Sequence, residues 1–291
     1  MKLTRSRQVV TRKPIMQTKP TKNNNLWFIF DSQAEVTSYT KGELFHKRDK
    51  EFVGEELNTW KEVDDRTKKL WEHGIETLNM FTERLKGLEI PELKSCIRKT
   101  RYTSIPTDDI DMERMLAGDP NFYKITERES SSGPVEVTIL IDTTTPADMD
   151  PEDILWRGAA AVAVAYIMEA KGYRTDIWVV NGSKLFQGMD KGVMVGVNVK
   201  RCSDPLDQST LCNVVAGWFY RTLHFTLLAT ICKNCSKEVA YGFGACHTPN
   251  AIDLDEITTS ANRIYASGVF TFNGAANLIE AEVKKLADEG N

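Results

Sequence analysis

Residues 135–145 read VEVTILIDTTT, and from Asp148 the chain continues DMDPEDILWRGAAAVAVAYIMEAKGYRTDIWVV. Val135–Ile141 is a near-continuous β-branched run, the pattern of a strand covered on both faces. The run ends on Asp142 and three threonines. Asp150-Pro151-Glu152-Asp153 then combines an N-cap aspartate, proline at the first helical position and acids in the first turn, which together start a helix. The middle of that helix, Gly158–Ala165, is small and apolar nearly all round, so it reads as buried. Gly172 is placed to cap its end after Lys171. Tyr173–Val180 follows as the next strand.

The alternation continues outward. Val193–Val199 reads as a third strand, and Thr210 to about Ile231 as a second very apolar helix. Glu238–Phe243 and Arg263–Phe270 read as further strands, and a closing helix runs from about Gly274 to Ala287. Strand–helix alternation of this kind builds an α/β, doubly wound, mostly parallel sheet. Upstream, Ser130–Pro134 is a composition break. Before it, Leu26–Phe30 is a short strand-like run. Leu70, Trp71, Ile75, Leu78, Phe81 and Leu85 recur at helical spacing within 64–87, and the acidic 107–113 stretch opens a short helix ending at Gly118. The expected organisation is a basic arm (1–25), a mainly helical region (26–133) and the α/β domain (134–291).

Composition narrows the class. With 291 residues, 41% hydrophobic and 27% charged, the chain is that of a soluble globular protein. No apolar run reaches the roughly 18–20 residues that span a bilayer. The basic N-terminus lacks the apolar segment of a secretory signal, so the six cysteines are expected as reduced thiols in a cytoplasm. The net charge of −4 hides an asymmetry, for residues 1–25 carry seven basic side chains and no acid, leaving −11 for the remainder. Such an arm is either a solvated tail or a contact for phosphate backbones, and nucleic acid is a partner it could serve. Its lack of interleaved aromatics favours the tail.

The segments VTILIDTTT, YRTDIWVVNG and NRIYASGV, with the helix between the first two, resemble a von Willebrand factor A-type domain. The similarity covers roughly residues 134–291 and is nearest to domains attached to cobaltochelatase-type subunits and to uncharacterised bacterial and phage proteins. The resemblance implies a metal-ion-dependent adhesion site with the pattern D-x-S-x-S at the end of the first strand. A threonine from a later loop and an aspartate after the fourth strand complete it. Asp142 and Thr144 match the first two positions, and Thr210 stands for the later threonine. The third position is Pro146, which has no hydroxyl, and no aspartate follows Phe243 until Asp253. A hard cation such as Mg²⁺ wants about six oxygens. Three ligands with one fixed charge therefore imply a degenerate site that binds Mg²⁺ weakly. The function implied is protein interaction or assembly, with an ATP-driven ring as the partner.

Other chemistries compete for the same residues. A strand ending in Ile-Asp-Thr-Thr-Thr also resembles haloacid-dehalogenase-type phosphotransferases, but Thr144 stands where the second, proton-transferring aspartate is required. A divalent-metal-dependent phosphoester enzyme at the same strand ends is the alternative function. None of His46, His73, His224 and His247 sits in a nucleophile motif, and neither G-x-S-x-G nor a phosphate-binding glycine loop occurs. Asp142 can also simply cap its own turn. Cys232, Cys235, Cys246 and His247 have the spacing of a tetrahedral zinc site. The first pair closes an apolar helix, however, where cysteine serves as a small hydrophobe. Arg98–Tyr102 is a second basic cluster, read as a solvated face.

Overall fold

The computed structural model describes residues 26–40, 49–93, 96–107, 109–130, 135–146, 148–185, 188–234, 246–249, 254–255, 257–258 and 260–290. Seven described strands are β1 (Leu26–Phe30), β2 (Cys96–Thr103), β3 (Tyr123–Ser130), β4 (Glu136–Asp142), β5 (Arg174–Leu185), β6 (Gly188–Lys200) and β7 (Arg263–Ala266). The helices are α1 (Gln33–Thr40), α2 (Lys50–Val53), α3 (Trp60–Thr67), α4 (Glu72–Leu85), α5 (Met112–Leu116), α6 (Pro151–Ala170), α7 (Gln208–Val214), α8 (Gly217–Phe219), α9 (Phe225–Asn234) and α10 (Phe272–Gly290). A π-helical turn, Tyr220–His224, joins α8 to α9.

The main sheet is α/β and mostly parallel, in the order β1-β6-β5-β4-β7. β4 lies between β5 and β7 and is parallel to both, with Asp142 opposite Val180 and Ile141 opposite Ala266. β1 and β6 are also parallel. The β5–β6 pair is antiparallel, and the reason is the connection: only residues 186–187 separate the two strands. A parallel return would need a crossover of a dozen residues or more. Apolarity alone did not carry that information. β1 precedes the Ser130–Pro134 break yet is hydrogen-bonded into this sheet, so the sheet draws strands from both sides of the break.

One face of the sheet carries α6, α4 and α10 around Val137, Ile139, Ile141, Ile177 and Val179, with α9 and α1 over β6 and β1. On the opposite face, Leu254 and Ile257 cover Trp27, Leu140, Trp178 and Met194. α6 is buried from Gly158 to Ala165, as its all-round apolarity requires. Burial of each valine there is worth about 1.5–3 kcal/mol. Gly172 ends α6 with φ 90°, the left-handed conformation of a glycine cap.

Several expected boundaries differ. The helical spacing over 64–87 is split into α3 and α4 by Lys68–Trp71, where Leu70 is 61% exposed. Thr59 caps α3 by accepting the Glu62 amide, a signal upstream of the apolar stripe. The 210–231 helix is interrupted after Val214, where Ala216 takes an extended conformation before α8. The N-terminal region holds the β2–β3 ribbon as well as helices, so it is mixed in character. The expected strand at 238–243 and the arm at 1–25 lie outside the described residues.

Candidate functional site

Asp142 ends β4 at the carboxyl edge of the parallel strands, where ligands sit in open α/β sheets. Its Oδ1 accepts the Thr144 amide at 2.8 Å, the local turn that Asp followed by threonines favours. The threonines bind this turn to its neighbours. The Thr143 amide donates to Val180 O at 2.8 Å, and Thr144 Oγ1 accepts from the Gly182 amide at 3.0 Å. Thr145 Oγ1 donates to Thr143 O at 3.0 Å. Asp142 through Thr145 are all buried.

The charge at this strand end is balanced from α6. Arg157, in the second turn of that helix, is as buried as Asp142 at 1% exposure each. Its Nη2 reaches Thr144 O and Thr145 Oγ1, both at 3.4 Å, and its guanidinium lies 5.3 Å from the Phe270 ring centre. Among the described residues, Asp142 Oδ2 and Arg157 Nε and Nη1 have no hydrogen-bond partner. Burial pushes the Asp142 pKa up, while the Arg157 charge, the Thr144 hydrogen bonds and the nearby Tyr265 hydroxyl pull it back.

The surrounding groups are neutral near pH 7. Burial raises the Cys246 thiol to about 11, and the negative charge of Asp142 adds to the effect. Burial also raises the phenols of Tyr220 and Tyr265, and the Tyr265 hydroxyl donates to Pro249 O at 2.9 Å. A thiol held so far above neutrality is a poor nucleophile, because the thiolate is the reactive form. The arrangement is thus one buried carboxylate, one buried guanidinium and a shell of neutral hydroxyls and a thiol.

The structure brings Asp142 and Thr144 together and puts Thr210 elsewhere. Thr210 Oγ1 donates to Asp207 Oδ2 at 2.7 Å, in the first turn of α7 that Asp207 caps. That turn lies beside Tyr166, whose phenol is influenced by Gln208 and Asp207. Tyr166 is nine residues beyond Arg157 on α6, about 14 Å along the helix axis. Cys232 packs in the core beneath β1 and β6, whereas Cys246 forms a β-bridge with Ser183 of β5. Cys235 lies outside the described residues, and among those described no group of three or more His, Cys, Asp or Glu is poised to hold a metal.

Three buried polar groups escaped the sequence reading. Arg157 and Arg221 are each the lone cation in an apolar helical stretch, and His224 follows Arg221 by three residues. Their isolation was the available signal, since a fully buried charge is rare unless it is paired or hydrogen-bonded.

The family model described as Domain of unknown function (DUF7192) matches residues 16–285. The chain belongs to that family. No curated protein and no solved structure matches it. The DUF7192 match runs across the Ser130–Pro134 break, so β1, the β2–β3 ribbon and the Asp142 strand all fall within one family unit.

Proposed function

We propose that the protein is a non-catalytic interaction and assembly module, similar to von Willebrand A-type domains, with a degenerate metal-ion-dependent adhesion-type site at Asp142. The observation that carries this reading is that buried Asp142 ends β4 under the influence of a buried cation, Arg157, which is hydrogen-bonded to the adjoining Thr144–Thr145 turn. The interior position of β4 between β5 and β7, followed by α6 and then by β5 parallel to it, also supports the reading.

The alternative, a phosphoester enzyme, draws less support. A general acid or base needs a partner within hydrogen-bond reach of the reacting atom. The titratable groups that sense Asp142 are Arg157, Tyr220, Cys246 and Tyr265, and the next carboxylate, Asp148, is felt at Cys246. A Mg²⁺ ion would find Asp142 Oδ2 and a Thr144 hydroxyl that already accepts from Gly182, with the Arg157 charge opposing it. Weak binding follows, and the partner's own groups would have to complete any coordination.

The partner is a protein; the resemblance implies an ATP-driven ring. Affinity capture with wild-type protein and with Asp142→Ala, followed by isothermal titration with the purified partner, tests the reading. Loss of capture in the variant is expected, with no turnover of p-nitrophenyl phosphate in Mg²⁺ or Mn²⁺. Metal-dependent turnover that Asp142→Ala abolishes would establish the enzyme instead.

A further inference from the structure

A cleft of about 160 Å³ opens where the N-terminal helices meet the α/β body. Four segments wall it: the end of α2, the start of α4, the first turn of α6, and α8. Two glycines let these segments approach. A β-carbon on Gly54 would fall 2.9 Å from Pro151 Cβ, and one on Gly217 would fall 2.8 Å from Pro151 Cα. Half-buried Trp71 and buried Trp218 form the aromatic part of the lining. Glu55, Glu152 and His73 supply its charged and polar groups.

The chemistry of these walls is that of a cation seat. An indole face attracts a cation through the ring quadrupole, and a carboxylate pairs with it. The molecule already makes both interactions with the same residues. Arg66 does not line the cleft, yet its guanidinium carbon lies 5.5 Å from the Trp71 ring centre and 5.1 Å from that of Trp218. Its Nε and Nη2 donate to Glu55, and its Nη1 donates to Asn213 Oδ1 at 2.9 Å. Two carboxylates face this one permanent cation, so the cleft carries a net negative charge when His73 is neutral.

Glu152 has capacity left for a ligand. It is paired with His73, whose Nε2 lies 2.9 Å from Oε1, and the two side chains are 46% and 47% exposed. An ion pair so exposed is worth little, and a carboxylate offers about four lone-pair sites. The N-terminus of α6 would by itself favour an anion, but Glu152 and Asp153 already place negative charge in its first turn.

We propose that this cleft binds a guanidinium group, stacked on the Trp71 indole and paired with Glu152. A planar guanidinium can both stack on an aromatic face and fork onto a carboxylate, whereas an ammonium is a point charge. Size narrows the ligand further. The volume lies below the roughly 300 Å³ at which pockets for drug-sized ligands begin. It admits the head of an arginine side chain or a small free alkylguanidine, and it is too small for a nucleotide. The site stands apart from the reading of Asp142, since none of its lining residues belongs to that strand end.

Titration of the ¹⁵N-labelled full chain with ethylguanidinium, followed at the indole N–H signals of its six tryptophans, tests the proposal. The Trp71 and Trp218 signals are expected to shift saturably, with a dissociation constant of about 1 mM, as suits so small a ligand. Trp71→Phe assigns the first of them. N-ethylurea, which has a similar shape without the charge, should leave both in place. Glu152→Gln should weaken binding about tenfold or more, the worth of a hydrogen bond to a charged group. Circular dichroism should show that variant folded, as the side chain is half exposed. Asp142→Ala should bind ethylguanidinium as the wild type does. A capped Gly-Arg-Gly peptide separates the two sources. Binding at least as tight as that of ethylguanidinium identifies an arginine of a protein partner, and exclusion of the peptide identifies a free alkylguanidine; either result upholds the site. Shifts that do not saturate, an equal response to N-ethylurea, saturable shifts confined to the other indoles, or undiminished binding by Glu152→Gln would each overturn the proposal.

Discussion

The side-chain nitrogen of Asn181 lies 2.8 Å from Nδ1 of His224, and both side chains are fully shielded from solvent. An amide nitrogen can only donate, so Nδ1 is the acceptor and the ring proton sits on Nε2. Nε2 has no hydrogen-bond partner among the described residues. A second proton would have to point at the Asn181 amide hydrogens, in a site fully shielded from solvent. Burial accordingly lowers the His224 pKa to about 4.

That shift makes stability depend on pH in a defined direction. The unfolded chain binds a proton near pH 6.5 and the folded chain does not until about 4. The stability is therefore complete above 6.5 and is lost as pH falls toward 4, at about 1.4 kcal/mol per pH unit. Urea unfolding at about pH 7.5 and pH 5 should cost the wild type roughly 2 kcal/mol more than it costs His224→Gln. Equal losses in the two proteins would show that the imidazole titrates as an exposed one does.

Gly158 and Val215 make the α6–α7 contact unusually close. A β-carbon built at Gly158 would fall 2.2 Å from Val215 Cβ. Gly→Ala in a helix interior ordinarily stabilises by about 1 kcal/mol. Here the overlap with a branched core side chain should reverse the sign, so Gly158→Ala is expected to destabilise by about 1–3 kcal/mol. Val215→Ala removes the obstructing methyls, and the pair should be less destabilised than the sum of the two singles. A double-mutant cycle by chemical denaturation measures that coupling.

Arg221 holds the chain leading into α6. Its guanidinium donates to the carbonyls of Phe52, Met149 and Pro146 and lies 4.3 Å from the Phe52 ring centre. Burial lowers its pKa. Arg221→Lys keeps a charge but loses the planar fork that spans separate acceptors. A loss of about 2–4 kcal/mol is expected. Limited proteolysis should show faster cleavage near Pro146–Asp150 in the variant. Unchanged stability would mean the three carbonyls are equally well served by water.

How far the sequence foretold this molecule follows from the kind of signal each element carries. β4 and α6 were legible because their evidence is local: a β-branched run, a proline at the first helical turn, a glycine at the end. β5 was read only to Val180, because Asn181-Gly182-Ser183 breaks the apolar pattern although the strand continues to Leu185. The ribbon was missed because Arg98-Lys99-Thr100-Arg101 is polar throughout and leaves no apolar alternation to read. Asp142 and Thr144 were found together because two residues of sequence hold them together. Thr210 could be placed only by tertiary structure, and so could Arg157, whose relation to Asp142 depends on how α6 crosses β4.

Burying Asp142 carries an electrostatic cost. Burial raises its pKa above the ordinary 3.8, so the ionised form is the less favoured one inside the fold. A group with a raised folded pKa contributes stability that is present below its unfolded pKa and lost as pH rises through the folded value. Above its folded pKa the wild type therefore bears the cost of a buried carboxylate, offset in part by Arg157, the Thr144 hydrogen bonds and the Tyr265 hydroxyl. Asp142→Asn keeps an oxygen to accept the Thr144 amide and removes the charge. It should raise the melting temperature by a few degrees, corresponding to about 1 kcal/mol, even though Arg157 loses its countercharge. The gain should shrink as pH falls through the folded pKa, because the wild-type carboxyl then takes up its own proton. Mg²⁺ at about 10 mM would stabilise a site of similar dissociation constant by only about 0.4 kcal/mol, so added metal should not cancel the difference. Calorimetric melting of both proteins at neutral and acid pH, with and without Mg²⁺, decides the matter. A variant less stable than the wild type at pH 7 would mean that the Asp142–Arg157 attraction exceeds the cost of burying the carboxylate.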